Sequence, residues 1–497
     1  MSHSFGIIAA SILYLTGMLW IGVNFSNRTE NVSDYILGSR GLNKWVTSLS
    51  AEASDMSGWL LLGLPGYAHL SGMEASWIAL GLALGTYVNW KFVAKRLRNY
   101  TQIANDSLTL PDYLENRFRD SLKILRSVAA VFILIFFLIY TSSGFVAGGK
   151  LFNTVFGLPY IWSMLIGAAV VVTYTFLGGF MAVCWTDFVQ GILMFFAILI
   201  VPITGMFLSG GPADTLAALK NINPELLNPF TSVDGTALSL IAVVSLMAWG
   251  LGYFGQPHIL VRFMAIHSAD EIKPARHIAM VWVILSLAAA VLVGMVGRVY
   301  LPQTLEGVAS ETVFMVMTND IFASFIAGII LSAILAAIMS TASSQLLVTA
   351  SAISQDFYKS LICKEAGEKE LVSISRWTVI GVAIVAGLLA IKPDNLVLDL
   401  VAYAWAGFGA TFGPTLVMSL FWKRMTKSGA LAGIIAGGIT VLVWKQLAHF
   451  GGIFALYEIV PGFIMSVFAI IVVSMMSKQP SKEIMDEFER VNRAGLR

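Results

Sequence analysis

Apolar residues fall along the chain in runs of about twenty, divided by short stretches in which charge, glycine and proline collect. A helical run of that length crosses the hydrocarbon core of a bilayer, so the pattern predicts spans rather than the stripes of a soluble fold. Thirteen helices are expected, over 5–25, 45–73, 74–96, 124–150, 160–181, 187–207, 237–262, 276–300, 320–350, 371–391, 397–422, 428–448 and 455–477. The second is the weakest by hydropathy, because its centre is polar. Ser209 to Gly235, the longest external connection, holds several Gly and Pro and reads as a plain loop. Two amphipathic runs, Pro111 to Asp120 and Ser481 to Arg497, read as short surface helices without evident chemistry.

Basic residues orient the set, since cytoplasmic loops collect them. With the N-terminus outside, 26 of the 31 Lys and Arg fall on the cytoplasmic side, and Lys150, Lys220, Arg298, Lys392 and Lys445 fall outside. Gaining or losing one helix would invert every later loop and erase the bias. The C-terminus is therefore expected inside. Composition agrees: 57% of the 497 residues are hydrophobic and 12% charged, with mean hydropathy +0.79, as in an integral membrane protein surrounded by lipid. A net charge of +2 gives no case for nucleic acid, and no obligate protein partner is evident. Cys184 and Cys363 are the only cysteines, in different segments, and support neither a disulfide framework nor a cysteine metal site. The first run, Phe5 to Val23, lacks a basic leader and a cleavage site and reads as a retained helix.

The polar centre of the second run is Ser50 to Tyr67, SAEASDMSGWLLLGLPGY. An ionised carboxylate at membrane depth is costly unless a counter-ion, a polar cavity or a proton accompanies it, which makes Asp55 a functional candidate. Ser, Asp and Gly58 weaken the helix here, and unwound backbone survives at this depth only where protein or a wet cavity receives it. Freed carbonyls then suit a cation, and a half-helix N-terminus suits a carboxylate. A serine-rich packed helix with Asp55 near an interface is the alternative.

A second break is expected five helices later, where three glycines precede Pro257 in WGLGYFGQP. Interrupted helices opening each of two five-helix units point to an inverted-repeat transporter with its site near the midplane. A kinked helix packed through glycine is the plainer reading. Trp59, Trp249 and Tyr253 flank the two breaks and suit a small ligand with an aliphatic ring and charged ends, though aromatic residues also serve as packing, as Tyr140 would. In the ninth helix Ala337 and Thr341 stand four apart, with Ser340, Ser343 and Ser344 beside them. Hydroxyl and carbonyl oxygens are hard ligands for an alkali cation, or the serines bond their own backbone. His69, His258, His267, His277 and His449 are scattered and read mostly as loop or interface residues. No nucleotide loop, metal cluster or activated nucleophile supports an enzyme. A sensor would carry a sizeable cytoplasmic domain, for which the tail is too short.

The segments LSAEASDMSGWLLLGLPG, LTLPDY, YTFLGGFMAVCWTD, WGLGYFGQPHIL, GIILSAILAAIMST and VAYAWAGFGA resemble the sodium:solute symporter family, most strongly its proline-transporting branch. The similarity runs from about Asp34 through Ser477 and leaves out the extreme termini. It implies an all-α fold of thirteen spans, with the five-plus-five inverted repeat of broken-helix sodium symporters, in a bacterial cytoplasmic membrane. The expected divisions are 1–44, repeats 45–207 and 237–422 about an external loop 208–236, two added helices in 423–477, and a tail 478–497. Sodium would be held by the backbone carbonyls of Ala53, Met56 and Ala337 and the hydroxyls of Ser340 and Thr341, supported by Asp55. Ser57, Gly58, Trp59, Tyr140, Trp249, Tyr253 and Pro257 would surround L-proline. Arg40 and Asp187 would lie towards the cytoplasmic side, and some relatives suggest a second sodium at Asp187, Ser343 and Ser344. The expected activity is sodium-driven L-proline uptake by alternating access; the alternative is sodium-coupled uptake of another amino acid or a carboxylate.

Overall fold

A computed structural model describes residues 2–26, 32–177, 179–392 and 394–495, so part of the first cytoplasmic connection and the end of the tail lie outside the described residues. Among the described residues the regular elements are helices, with two isolated bridges, Leu42 to Ile266 and Thr231 to Ala237. Nine helices are long and apolar enough to cross a membrane, and ten if the bent pair Leu240–Gly255 and Pro257–Ala265, at 46°, is one span. Three other expected spans are also helical, the first two polar or discontinuous and the third apolar but short. They are Lys44–Asp55 with Leu64–Ser71, Ser76–Val88 continuing into Ala94–Ile103, and Tyr160–Leu177.

Burial sorts the helices into a centre and a rim. The most apolar window of Ser324–Ile362 is 83% buried and that of Val397–Phe421 is 78% buried, against 22% for Phe5–Asn24 and 28% for Ile459–Met476. In a bilayer the rim helices keep their apolar faces for lipid, while the central pair is enclosed on all sides. Local chemistry sets the ends. The Asn43 side chain accepts from the backbone N–H of Trp45 and Val46, and Ser239 and Thr426 cap their helices in the same manner.

Ser209 to Gly235 is not a plain loop: it contains the helix Pro212–Ile222 and a turn of 3-10 helix, Pro224–Leu227. Pro212 opens the helix with Asp214 in its first turn, and Thr215, Leu219 and Leu226 are buried beneath. That burial supplies the order that composition concealed. Gly72, with φ of +64°, lies so close to Leu226 that an added Cβ would stand 2.3 Å from its carbonyl oxygen. Both expected surface helices are present, as Leu110–Phe118 and Lys482–Gly495. The second docks through Phe488, whose ring lies edge-on to Tyr100 and beneath the Arg117 guanidinium.

Candidate functional site

The helix Lys44–Asp55 stops at Met56, whose backbone turns away with ψ of 79°. In a continuous helix the Ala53 carbonyl would accept from Ser57. Here Ser57 N–H donates to the Asp55 carbonyl at 3.0 Å, which leaves Ala53 free of its helical partner. Ala53 accepts instead from Ser340 Oγ at 2.7 Å and Thr341 Oγ1 at 3.5 Å, across from the other central helix. Ser340 Oγ also reaches the Ala337 carbonyl at 3.3 Å. Four of the five expected sodium-ligand residues are thus brought to one place, with Met56 buried at the break beside them. A cation entering here would replace weak hydroxyl-to-carbonyl bonds with hard oxygen ligation.

Asp55 ends the same half-helix. Its Oδ2 accepts from the Tyr253 hydroxyl at 2.6 Å, while Oδ1 is buried without a partner. The Asp55 carbonyl accepts from Trp59 Nε1 at 3.1 Å and the Tyr140 hydroxyl at 3.3 Å. Beyond the break the chain resumes as a wide turn, Trp59–Gly63, which aims Trp59 at Trp249 with ring centroids 6.2 Å apart. Trp405 fixes this wall by donating to the Trp249 carbonyl at 2.7 Å and standing edge-on to Tyr253. Tyr457 covers the other side of Trp249, at 5.8 Å. Ser57 Oγ is buried without a partner, and Gly58 approaches Ala147 so closely that a Cβ would stand 2.8 Å away. Both breaks therefore meet around Asp55. Pro257 stands apart from the aromatic pair: it opens the helix Pro257–Ala265 and lines a small apolar cavity, about 20 Å³, with Val261, Met264, Phe180 and Leu347.

Asp187 is fully buried and bound to Arg262 of the helix Pro257–Ala265. The Arg262 guanidinium donates to Asp187 Oδ2 at 3.1 Å, to Ser50 Oγ at 3.1 Å, to the His258 carbonyl at 2.7 Å and to Ser344 Oγ. Asp187 and Ser344 are therefore brought together through a cationic side chain. Ser343 bonds the Ser340 carbonyl of its own helix at 3.1 Å. The clue in the sequence was an arginine and an aspartate in otherwise apolar stretches, which at depth require one another. Arg40 ties the end of the same broken helix, donating to the Met264 carbonyl at 2.6 Å and the Ser107 carbonyl at 3.0 Å. Two histidines depart from the expected loop or interface setting. His69 is buried between the Gly294 carbonyl and the Leu305 N–H, and His258 is buried against Phe137 and Tyr140.

Residues 35–437 match the model of the Sodium:solute symporter family. The chain belongs to that family. It is 52% identical to the high-affinity proline transporter PutP of Bacillus subtilis, covering 95% of this chain and 98% of that one. It is 50% identical to the sodium/proline symporter of Escherichia coli, covering 98% and 96%. Its fold is also that of a Na+-coupled sialic acid symporter solved in a substrate-bound outward-open state, with a TM-score of 0.79 at 20% identity over 96% of this chain and 99% of that one.

Proposed function

We propose that this protein couples inward sodium flow to uptake of L-proline by alternating access across a bacterial cytoplasmic membrane. The observation that carries the reading is Ala53, whose carbonyl is released by the first break and met by Ser340 and Thr341 from the ninth span. A sodium ion held by Ala53, Met56, Ala337, Ser340 and Thr341, with Asp55 adding negative charge nearby, joins the broken helix to its neighbour. It stabilises whichever conformation brings these oxygens together, by its differential affinity for the two states. Proline then binds between Trp59 and Trp249, its ring against the indoles. Its carboxylate approaches Ser57 and Gly58 at the resumed helix. Tyr140 and Tyr253 complete the wall.

The architecture that serves this activity has thirteen spans. Two inverted five-helix units, 45–207 and 237–422, follow an outer first helix and precede two added helices, with the N-terminus outside. The basic-residue bias supports that orientation, and the two breaks support the repeat. A second sodium at Asp187, Ser343 and Ser344 requires Arg262 to withdraw, since its guanidinium stands between Asp187 and Ser344. The relatives that are named for proline favour this substrate over other amino acids or carboxylates.

Counterflow of labelled proline in proteoliposomes tests the reading. Vesicles loaded with unlabelled proline are expected to accumulate label transiently in sodium and not in choline. Equal counterflow in both media overturns sodium coupling.

A further inference from the structure

Eight carboxylates are buried among the described residues. Six of them, Asp120, Asp187, Glu311, Asp356, Glu458 and Glu487, have a Lys or Arg within 3.5 Å. Glu52 and Asp55 have none. The proposed transport sodium accounts for Asp55. Nothing on that list accounts for Glu52, which lies three residues earlier on the same helical face and is 2% exposed.

The surroundings of Glu52 are built from oxygen. Its Oε1 accepts from Trp90 Nε1 at 3.0 Å, and its Oε2 is buried without a partner. Thr86 and Asn89, also three apart, present a second face; Asn89 Oδ1 is likewise buried and unpartnered, and Thr86 Oγ1 is buried beside the Tyr253 hydroxyl. Tyr253 knits the faces together. Its hydroxyl holds Asp55, its carbonyl accepts from Asn89 Nδ2 at 3.0 Å, and Thr86 flanks its phenol. Between Val88 and Ala94 the helix widens into a π-turn, Asn89–Val93, a distortion that often accompanies functional sites. Of the charged groups on elements packed against this region, Asp187 and Arg262 pair with each other beside Ser50. Arg276 lies against the Tyr87 ring.

A buried carboxylate surrounded by unpaired acceptors lacks one thing, a positive charge. We propose that Glu52, with Thr86 and Asn89, forms a second monovalent-cation site that takes sodium. The site rests on the transport reading above and adds a second coupled cation to it. It differs from the transport site in its walls: the helices Lys44–Asp55 and Ser76–Val88 and the second break, rather than the ninth span.

The test is the reversal potential of labelled-proline flux in proteoliposomes at varied sodium gradients. The wild type is expected to move two sodium ions per proline and Glu52→Gln one. The amide can still accept from Trp90, so sodium-dependent proline flux is expected to persist in the variant. One sodium per proline in the wild type overturns the proposal, as does a second sodium that Glu52→Gln leaves coupled. Should that variant fail to reach the membrane, Thr86→Val is expected to raise the half-saturating concentration of the second cation about fivefold. No change overturns the site. Absence of sodium-dependent proline flux in the wild type would instead count against the transport reading itself.

Discussion

Ala53 contributes only a backbone oxygen, yet that oxygen is where the first broken helix meets the helix Ser324–Ser351. The spacing of Ser340 and Thr341 made their half of the contact legible, because successive hydroxyls on an alanine-rich helix can face one neighbour. Arg262 was not legible as the partner of Asp187: the two are 75 positions apart, and hydropathy puts an arginine at the end of a span into the adjoining loop. Removing one member of a fully buried pair strands the other charge. Asp187→Asn is therefore expected to lower stability by about 3–5 kcal/mol, whereas the double change Asp187→Leu with Arg262→Met recovers much of it. Thermal unfolding of the purified variants in detergent checks this, and equal losses in single and double variants would refute it. Trp249→Ala removes one wall of the aromatic pair and is expected to weaken proline binding by about 1–3 kcal/mol, read from a binding isotherm at fixed sodium. Asp55→Asn keeps the shape and removes the charge. Its half-saturating sodium concentration for uptake is expected to rise at matched membrane levels, and an unchanged value would remove Asp55 from the cation's surroundings.

The interruptions of both broken helices were visible because Ser, Asp, Gly and Pro gather in stretches otherwise apolar enough to span. The element between the sixth and seventh spans was not. Its Gly and Pro mark the ends of a helix rather than a loop, and only tertiary burial of Leu219 and Leu226 reveals that. Glycine tells the second broken helix where to lie. A Cβ on Gly81 would stand 2.2 Å from the Met247 carbonyl oxygen, a backbone atom that moves only if the whole segment moves. Gly81→Ala is expected to cost about 1–3 kcal/mol in stability and to impair transport. Gly381, within Glu368–Leu389, has nothing within 4 Å of an added Cβ. Gly381→Ala is expected to be neutral or stabilising by up to about 1 kcal/mol. Comparable losses in the two variants would show that close approach does not set the cost.

At the scale of the whole molecule, orientation rests on charge and coupling rests on geometry. The N-out, C-in arrangement proposed from the basic residues would put half-buried Cys363 on the cytoplasmic side. A membrane-impermeant maleimide is expected to label it in inverted vesicles and not in right-side-out ones. Labelling only from the outside would reverse the topology. Among the described residues nine helices, or ten with the bent pair, are long and apolar enough to span, and the first broken helix falls short because its centre is polar. The central claim is that one sodium site and one proline site share the first broken helix, so each ligand must favour the conformation that binds the other. Thermodynamic linkage then requires the same factor in both directions. The direct measurement is equilibrium binding to the purified protein: the Kd for proline with and without saturating sodium, and the Kd for sodium with and without saturating proline. Sodium is expected to tighten proline binding, and proline to tighten sodium binding by an equal factor for each coupled site. A proline Kd indifferent to sodium would contradict the account.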